Sequence, residues 1–185
     1  AANNITGSQK TIFSVVRYGN VVGSRGSVVP YFQKLIDNKN KYLPITHEDM
    51  TRFWITLDQA VDFVFMSFRN MIGGEVFVPK IPSVKIVDLA RAMAPNLKTK
   101  IVGIRPGEKI HELMCPNEYH HLTLEFKNHF KIIPSPNTDD KKKDFLMDNS
   151  GEKGKKVPSD FEYSSGSNKD FLSIQQIDKI NKTLY

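Results

Sequence analysis

Three short stretches set an arginine among glycine, proline or aromatic residues, where a planar guanidinium can be held in place for a phosphate or a carboxylate. The first is Tyr18-Gly19-Asn20-Val21-Val22-Gly23-Ser24-Arg25-Gly26-Ser27, whose three glycines let the backbone approach an anion closely. Taken alone it reads better as a tight connection whose glycines serve only turn geometry. In the second, Met50-Thr51-Arg52-Phe53-Trp54-Ile55-Thr56, Arg52 lies between an acidic turn (Glu48, Asp49) and an aromatic pair that should be buried. The plain alternative is a surface ion pair to Glu48 or Asp49, which is worth little. In the third, Ile104-Arg105-Pro106-Gly107-Glu108-Lys109, Pro106 fixes the backbone and Gly107 permits a turn that brings Arg105 and Glu108 to one side. A local Arg105–Glu108 ion pair would account for that motif too, but three arginines at predicted strand ends point to one shared anion site.

Other reactive side chains carry less. His120 and His121 are adjacent, and in an extended segment neighbours face opposite ways, which argues against a metal pair. Cys115 is the single cysteine and has no base near it in sequence, so a buried, inert thiol is expected and no disulfide can form within the chain. Phe63, Phe65 and Phe68 are assigned to core packing, and no metal ligand set is assigned.

The elements that must position the arginines follow from hydrophobic spacing. Thr11 to Arg17 is a continuous β-branched run, read as a strand covered on both faces and hence part of a parallel sheet. A glycine loop then leads into a helix from Val28 to Asn38, with Pro30 in its first turn. Thr56-Leu57-Asp58-Gln59 is a capping box opening a buried helix to about Asn70. Glu75 to Pro79 reads as a strand, Ser83 as the cap of a helix stopped before Pro95, and Lys100 to Ile104 as another strand. Arg105 to about Met114 reads as a turn and a short helix, Leu122 to Ile133 as one or two strands, and Ser173-Ile174-Gln175-Gln176 as a second capping box. Alternating β and α elements with a polar tail give an α/β class, whose ligands gather at the carboxyl ends of strands.

Charge narrows the partners. The 185 residues carry 26 Lys plus Arg against 20 Asp plus Glu, a formal +6, yet in the lysine-rich tract from Thr138 to Asp160 acids and bases cancel. That tract is read as a solvated loop, and without a basic stripe interleaved with aromatics nucleic acid is not an expected partner. No apolar run approaches the ~20 residues of a membrane span, so no membrane is expected as partner either. The lone cysteine favours a reducing compartment, taken to be the cytoplasm. The chain starts at Ala1 rather than Met and is read as a fragment.

Together the three arginine motifs and Gly73-Gly74-Glu75-Val76-Phe77-Val78-Pro79-Lys80 resemble those of the inverting UDP-N-acetylglucosamine 4,6-dehydratases. The likeness is dense from Thr11 to Met114 and continues through His121-Leu122-Thr123 and Asp160 to Ser165. It implies the C-terminal part of an NAD(P)-binding, Rossmann-like extended short-chain dehydrogenase/reductase with its smaller nucleotide-sugar lobe. Residues 1–70 would be the end of the Rossmann domain with substrate-loop elements, 71–134 the nucleotide-sugar lobe, and 135–185 a polar tail with a final helix. In such a lyase NADP serves as a hydride shuttle: C4 of the sugar is oxidised, water leaves across C5 and C6, and hydride returns to C6 with inversion at C5. The resemblance makes Asn20, Arg25, Arg52, Arg105 and Glu108 substrate-binding residues and gives Val21 a backbone contact near the nicotinamide. UDP-N-acetylglucosamine is the implied partner, pseudaminic acid synthesis the implied setting, and a homo-oligomer is expected at full length.

The family's glycine-rich dinucleotide loop, its Tyr-x-x-x-Lys pair and its Asp-Lys elimination pair are expected upstream. No tyrosine here has a lysine four residues later, so no catalytic residue is assigned and the chain alone is expected to be inactive. A half-built sheet is also expected to be marginally stable or to aggregate. A retaining 4,6-dehydratase, a UDP-sugar 4-epimerase and a non-catalytic binding module are the competing readings.

Overall fold

The computed structural model describes residues 11–135 and 145–183. The elements in order are β1 (Val15–Val16), β2 (Asn20–Val21), α1 (Val28–Asp37), β3 (Tyr42–Ile45), β4 (Thr51–Ile55) and α2 (Leu57–Asn70). There follow β5 (Val76–Pro79), β6 (Ser83–Lys85), α3 (Ile86–Met93), β7 (Lys98–Ile101) and β8 (Leu113–Cys115). The last are a 3-10 helix (Asn117–Leu122), β9 (Thr123–Glu125), β10 (His129–Ile132), β11 (Lys155–Lys156), β12 (Tyr163–Ser164) and α4 (Ile174–Lys182). The mixed α/β class expected of an extended short-chain dehydrogenase is what the chain adopts.

Two compact units interleave along the chain. One takes Gly19–Leu57, Ile81–Glu112 and the stretch from Ser164; the other takes the stretch ending at Tyr18, Asp58–Lys80 and Leu113–Tyr163. These limits are not those of the three consecutive segments above, because the chain crosses between the units repeatedly.

The unit beginning at Gly19 carries the arginine motifs. Its sheet runs β2-β4-β6, with β2 parallel to β4 and β6 antiparallel, and a second parallel pair joins β3 to β7. The β4 sequence Thr-Arg-Phe-Trp-Ile is mostly buried, and Trp54 packs in one core with Val22, Val29, Phe32, Leu43, Met50, Val84 and Leu89. Ile177 of α4 enters the same core, and the expected capping box is formed: the Gln176 N–H donates to Ser173 Oγ and the Ser173 N–H to Gln176 Oε1.

The other unit is built on a five-stranded sheet in the order β1-β5-β10-β9-β11, parallel only between β1 and β5. Its interior holds buried polar groups as well as Phe77, Phe126 and Phe130. The Glu75 carboxylate accepts from the Ile72 and Gly73 N–H groups and from the Ser14 hydroxyl. Lys131 Nζ lies over the Phe77 and Phe126 rings, 5.3 and 4.8 Å from their centroids.

Several expectations need correction. The run from Thr11 is a strand only at Val15–Val16, which pairs with β5 alone among the described residues, and Ile12, Phe13 and Val15 are exposed, so the run is not covered on both faces. Helix α2 is not buried: Ala60, Phe63 and Ser67 face inward, whereas Phe65 and Phe68 are 59% and 71% exposed. Their stripe is therefore not core packing; apolar content alone cannot say which face of a helix meets a neighbour. Ser83 lies in β6 instead of capping a helix, and α3 starts after Lys85. No helix follows Glu108; the chain turns and enters β8. The lysine-rich tract falls partly outside the described residues, but from Phe145 on it is built into the unit, with Phe145 and Val157 buried and β11 paired to β9. His120 and His121 sit in the 3-10 helix with their rings 5.5 Å apart, not in an extended segment. No group of metal-binding side chains occurs among the described residues.

Candidate functional site

The site starts from a close approach between two parallel strands. A Cβ on Gly19 would lie 2.4 Å from Phe53 Cβ and 2.9 Å from the Phe53 carbonyl oxygen, so only glycine lets the chain enter β2 at this distance from β4. The resulting register pairs Asn20 with Trp54 and Val21 with Ile55. After β2 the chain turns through Gly23 and Gly26, both at positive φ, and Ser27 leads into α1. Strand ends, turn and helix start thus lie together, as expected for an α/β ligand site.

The opposite wall is the motif Arg105 to Glu108. The Glu108 N–H donates to the Arg105 carbonyl at 3.0 Å, and Gly107 has φ +81°, as a Pro-Gly turn requires. The Glu108 carboxylate accepts from the Arg105 backbone N–H (3.2 Å) and, at 3.4 Å, from the Thr46 hydroxyl. It makes no ion pair with the Arg105 guanidinium, so the turn is closed by backbone and carboxylate and leaves that cation exposed.

Arg52 is held differently. Its side chain is only 12% exposed. Nη1 donates to the carbonyls of Thr51 (2.7 Å) and Ile110 (3.1 Å), Nη2 donates to that of Lys109 (2.9 Å), and Nε lies 3.5 Å from Glu112 Oε1. The guanidinium therefore ties β4 to the segment following Glu108. The alternative, a surface pair with Glu48 or Asp49, does not form; the ion pair is with Glu112. The tie is reinforced by Thr51, whose hydroxyl lies 2.8 Å from His111 Nδ1 and 2.7 Å from Ser165 Oγ, while the Glu112 N–H donates to Ser165 Oγ.

Asn20, Val21, Arg52, Arg105 and Glu108 line one hollow of about 620 Å³. Arg25 does not; it is exposed in the turn before α1, so two of the three arginines converge and the third stands outside. The hollow also takes in Ser27, Lys34, Thr46 and Trp54, which the sequence reading did not name. Lys34 had one available signal, its place on a helix next to the glycine turn; Thr46 and Trp54 had none, since they reach the hollow through packing. Cys115 is fully buried, and burial pushes its thiol up to about 12, consistent with an unreactive side chain.

Val21, the residue expected near a nicotinamide, lines the hollow at the end of β2. Gly19 is packed against β4, whereas the turn beyond Val21 lies outside the strand pairing and a Cβ on its Gly26 would meet nothing within 4 Å. No hydride-transfer step is assigned to the described residues.

With a parallel-strand site of this kind, the chain falls in the extended short-chain dehydrogenase class of α/β proteins. A family model described as polysaccharide biosynthesis protein matches residues 1–134, and the chain belongs to that family. It is 55% identical over 184 residues to a UDP-N-acetylglucosamine 4,6-dehydratase (inverting) of Campylobacter jejuni strain 81-176, an alignment covering 99% of this chain and 55% of the relative. It is 42% identical over 127 residues to a UDP-glucose 4-epimerase of Rickettsia bellii, covering 66% of this chain and 37% of the relative. The X-ray structure of Pen from Bacillus thuringiensis superposes with a TM-score of 0.78 at 29% identity, over 99% of this chain and 54% of that one. The resemblance read from the motifs is borne out, and the chain spans about half the length of these dehydratase and Pen relatives.

Proposed function

We propose that this chain is the substrate-binding part, the C-terminal portion, of an inverting UDP-N-acetylglucosamine 4,6-dehydratase, and that its hollow holds the UDP-sugar. The observation that carries this is the convergence of Asn20, Arg52, Arg105 and Glu108, drawn from three separate motifs, on one cavity of nucleotide-sugar size. Arg105 supplies an exposed cation, without an ion pair among the described residues, for the diphosphate, and Glu108 and Asn20 supply acceptors and donors for hydroxyl groups. Arg25, outside the hollow, would meet only a part of the ligand that extends beyond it. NADP, when bound, supplies the hydride shuttle; Val21 is this chain's one contribution to holding it. The acid, base and elimination residues are not among those of this chain, so the chain alone is inactive. The full-length protein would be a cytoplasmic homo-oligomer supplying 4-keto-6-deoxy sugar for pseudaminic acid or a related surface sugar.

Isothermal titration of the chain with UDP and UDP-N-acetylglucosamine tests the reading. Binding of both is expected, and absence of binding to either refutes it. The likeness to a UDP-glucose 4-epimerase supports one other reading, a 4-epimerase site. NMR of the product formed by the full-length protein separates them: a C5-inverted 4-keto-6-deoxy product is expected, and a C4 epimer overturns the dehydratase assignment.

A further inference from the structure

The formal charge of +6 is not spread over the molecule. The unit beginning at Gly19 has fourteen lysines and arginines against eight aspartates and glutamates, which is the whole excess. Within that unit, the segments that form β3 and β7 carry positive charge alone: from Asn38 to His47 and from Leu89 to Gly107 the chain has no acidic residue. Three of the bases there, Lys41, Lys98 and Lys100, line a second hollow of about 570 Å³ with Tyr42 and Asn96. All three are exposed, and none makes an ion pair among the described residues. Lys100 Nζ lies 5.2 Å from the centroid of the Tyr42 ring, a contact that leaves its charge uncompensated.

The same two strands lead from these lysines to the hollow that holds Asn20, Arg52, Arg105 and Glu108. β3 and β7 are parallel, with Tyr42 opposite Lys98 and Pro44 opposite Lys100. Pro44 and Thr46 line the first hollow from one strand, and Val102 and Arg105 line it from the chain leaving the other. From a strand spacing of ~4.8 Å and a rise of ~3.3 Å per residue, the Lys100 backbone stands about 5 Å from that of Pro44, and those of Lys41 and Lys98 within about 10 Å of it. These distances are close to one Debye length at physiological salt, ~8 Å, so the charges are felt at the rim of the hollow. The three lysines do not line it, and they act on its ligand through their field alone. We propose that Lys41, Lys98 and Lys100 form an electrostatic guide, which draws the dianionic nucleotide sugar toward the hollow and raises its rate of association, while Arg105 and the other lining groups hold it once bound. The proposal rests on the nucleotide-sugar reading of the hollow.

Rate measurements distinguish a guide from a contact. Stopped-flow mixing with UDP-N-acetylglucosamine, followed by the fluorescence of Trp54, the single tryptophan and a residue lining the hollow, gives kon and koff separately. In the triple variant Lys41→Gln, Lys98→Gln, Lys100→Gln, kon is expected to fall roughly 3- to 10-fold at about 20 mM salt, the effect of three charges acting on two across about 12 Å of water, while koff stays nearly constant. At about 0.5 M salt, where the Debye length is only ~4 Å, parent and variant should associate at the same rate. An unchanged kon at low salt overturns the proposal. So does a loss that appears in koff instead, which would make the lysines contacts, or a difference in kon that survives high salt. Should the triple variant fail to match the parent by circular dichroism, the three single variants replace it, each with an expected loss in kon of roughly 1.5- to 2-fold under the same two conditions. If calorimetry shows that the parent chain does not bind UDP-N-acetylglucosamine, the nucleotide-sugar reading fails and the guide with it, an outcome distinct from binding at an unchanged rate.

Discussion

Removing Arg52 and removing Arg105 should damage the protein in different ways, although both arginines line the same hollow. Arg52 donates to the carbonyls of Lys109 and Ile110, which belong to a segment distant in sequence, and its Nε faces Glu112. Each bond contributes about 1 kcal/mol, the partly exposed ion pair adds less than that, and the freed carbonyls can turn to water, so Arg52→Ala is expected to cost about 2 kcal/mol of stability. For a chain of this length that is a fall in Tm of about 4–8 °C. The Arg105 guanidinium is exposed and makes no ion pair among the described residues, so Arg105→Ala should leave stability within about 0.5 kcal/mol of the parent. If that free cation meets the diphosphate, its loss removes charge-assisted bonds of about 1.5–3 kcal/mol, or roughly 10- to 150-fold in UDP affinity. Thermal melting followed by far-UV circular dichroism and calorimetry with UDP measure the two effects separately. The reasoning is refuted if Arg105→Ala melts as low as Arg52→Ala, or if it binds UDP as the parent does.

Three further outcomes follow from other parts of the molecule. Burial and, secondarily, the charge of Lys131 push His129 down to about 4 from its ordinary 6.5, so the unfolded chain binds more protons between these values and stability must fall as pH is lowered from 6.5 to 4. Urea denaturation at pH 7 and pH 5 should show this loss, and His129→Phe, whose ring can keep the stacking on Phe126, should remove most of it. Gly19→Ala places a Cβ against the Phe53 backbone and should cost about 2 kcal/mol or more while weakening UDP binding, because Asn20 moves with the strand; an unchanged melting temperature would contradict the close approach. The double change Phe65→Ser with Phe68→Ser should lower light scattering and dye binding by the chain without lowering its melting temperature, since both side chains stand exposed on α2. A drop in stability like that of a core deletion would show that this face is packed.

Motif chemistry was legible wherever it depends on local backbone rules. Pro106 and Gly107 announce their turn, Ser173 and Gln176 their capping box, and the order of strand, glycine turn and helix around Asn20 follows from spacing alone. These interactions join residues within a few positions of one another, so their geometry is carried by the residue types themselves. That Asn20, Arg52, Arg105 and Glu108 belong to one site was also inferable, because three separate motifs each set an arginine where an anion could be held, and the hollow gathers two of those arginines with Asn20 and Glu108.

What the linear order could not contain was which partner each side chain would meet. Arg25 and Arg52 look alike as motif arginines, yet one is left outside the hollow and the other is bound to carbonyls more than fifty residues away. Phe63 and Phe68 look alike on one helix, yet only the first is buried. The Trp54 indole N–H is buried without an acceptor among the described residues, which nothing in the order of residues foretells. Composition and spacing determine which groups a segment presents; burial, charge pairing and unmet hydrogen bonds arise from distances between segments, and those exist only once the chain has folded.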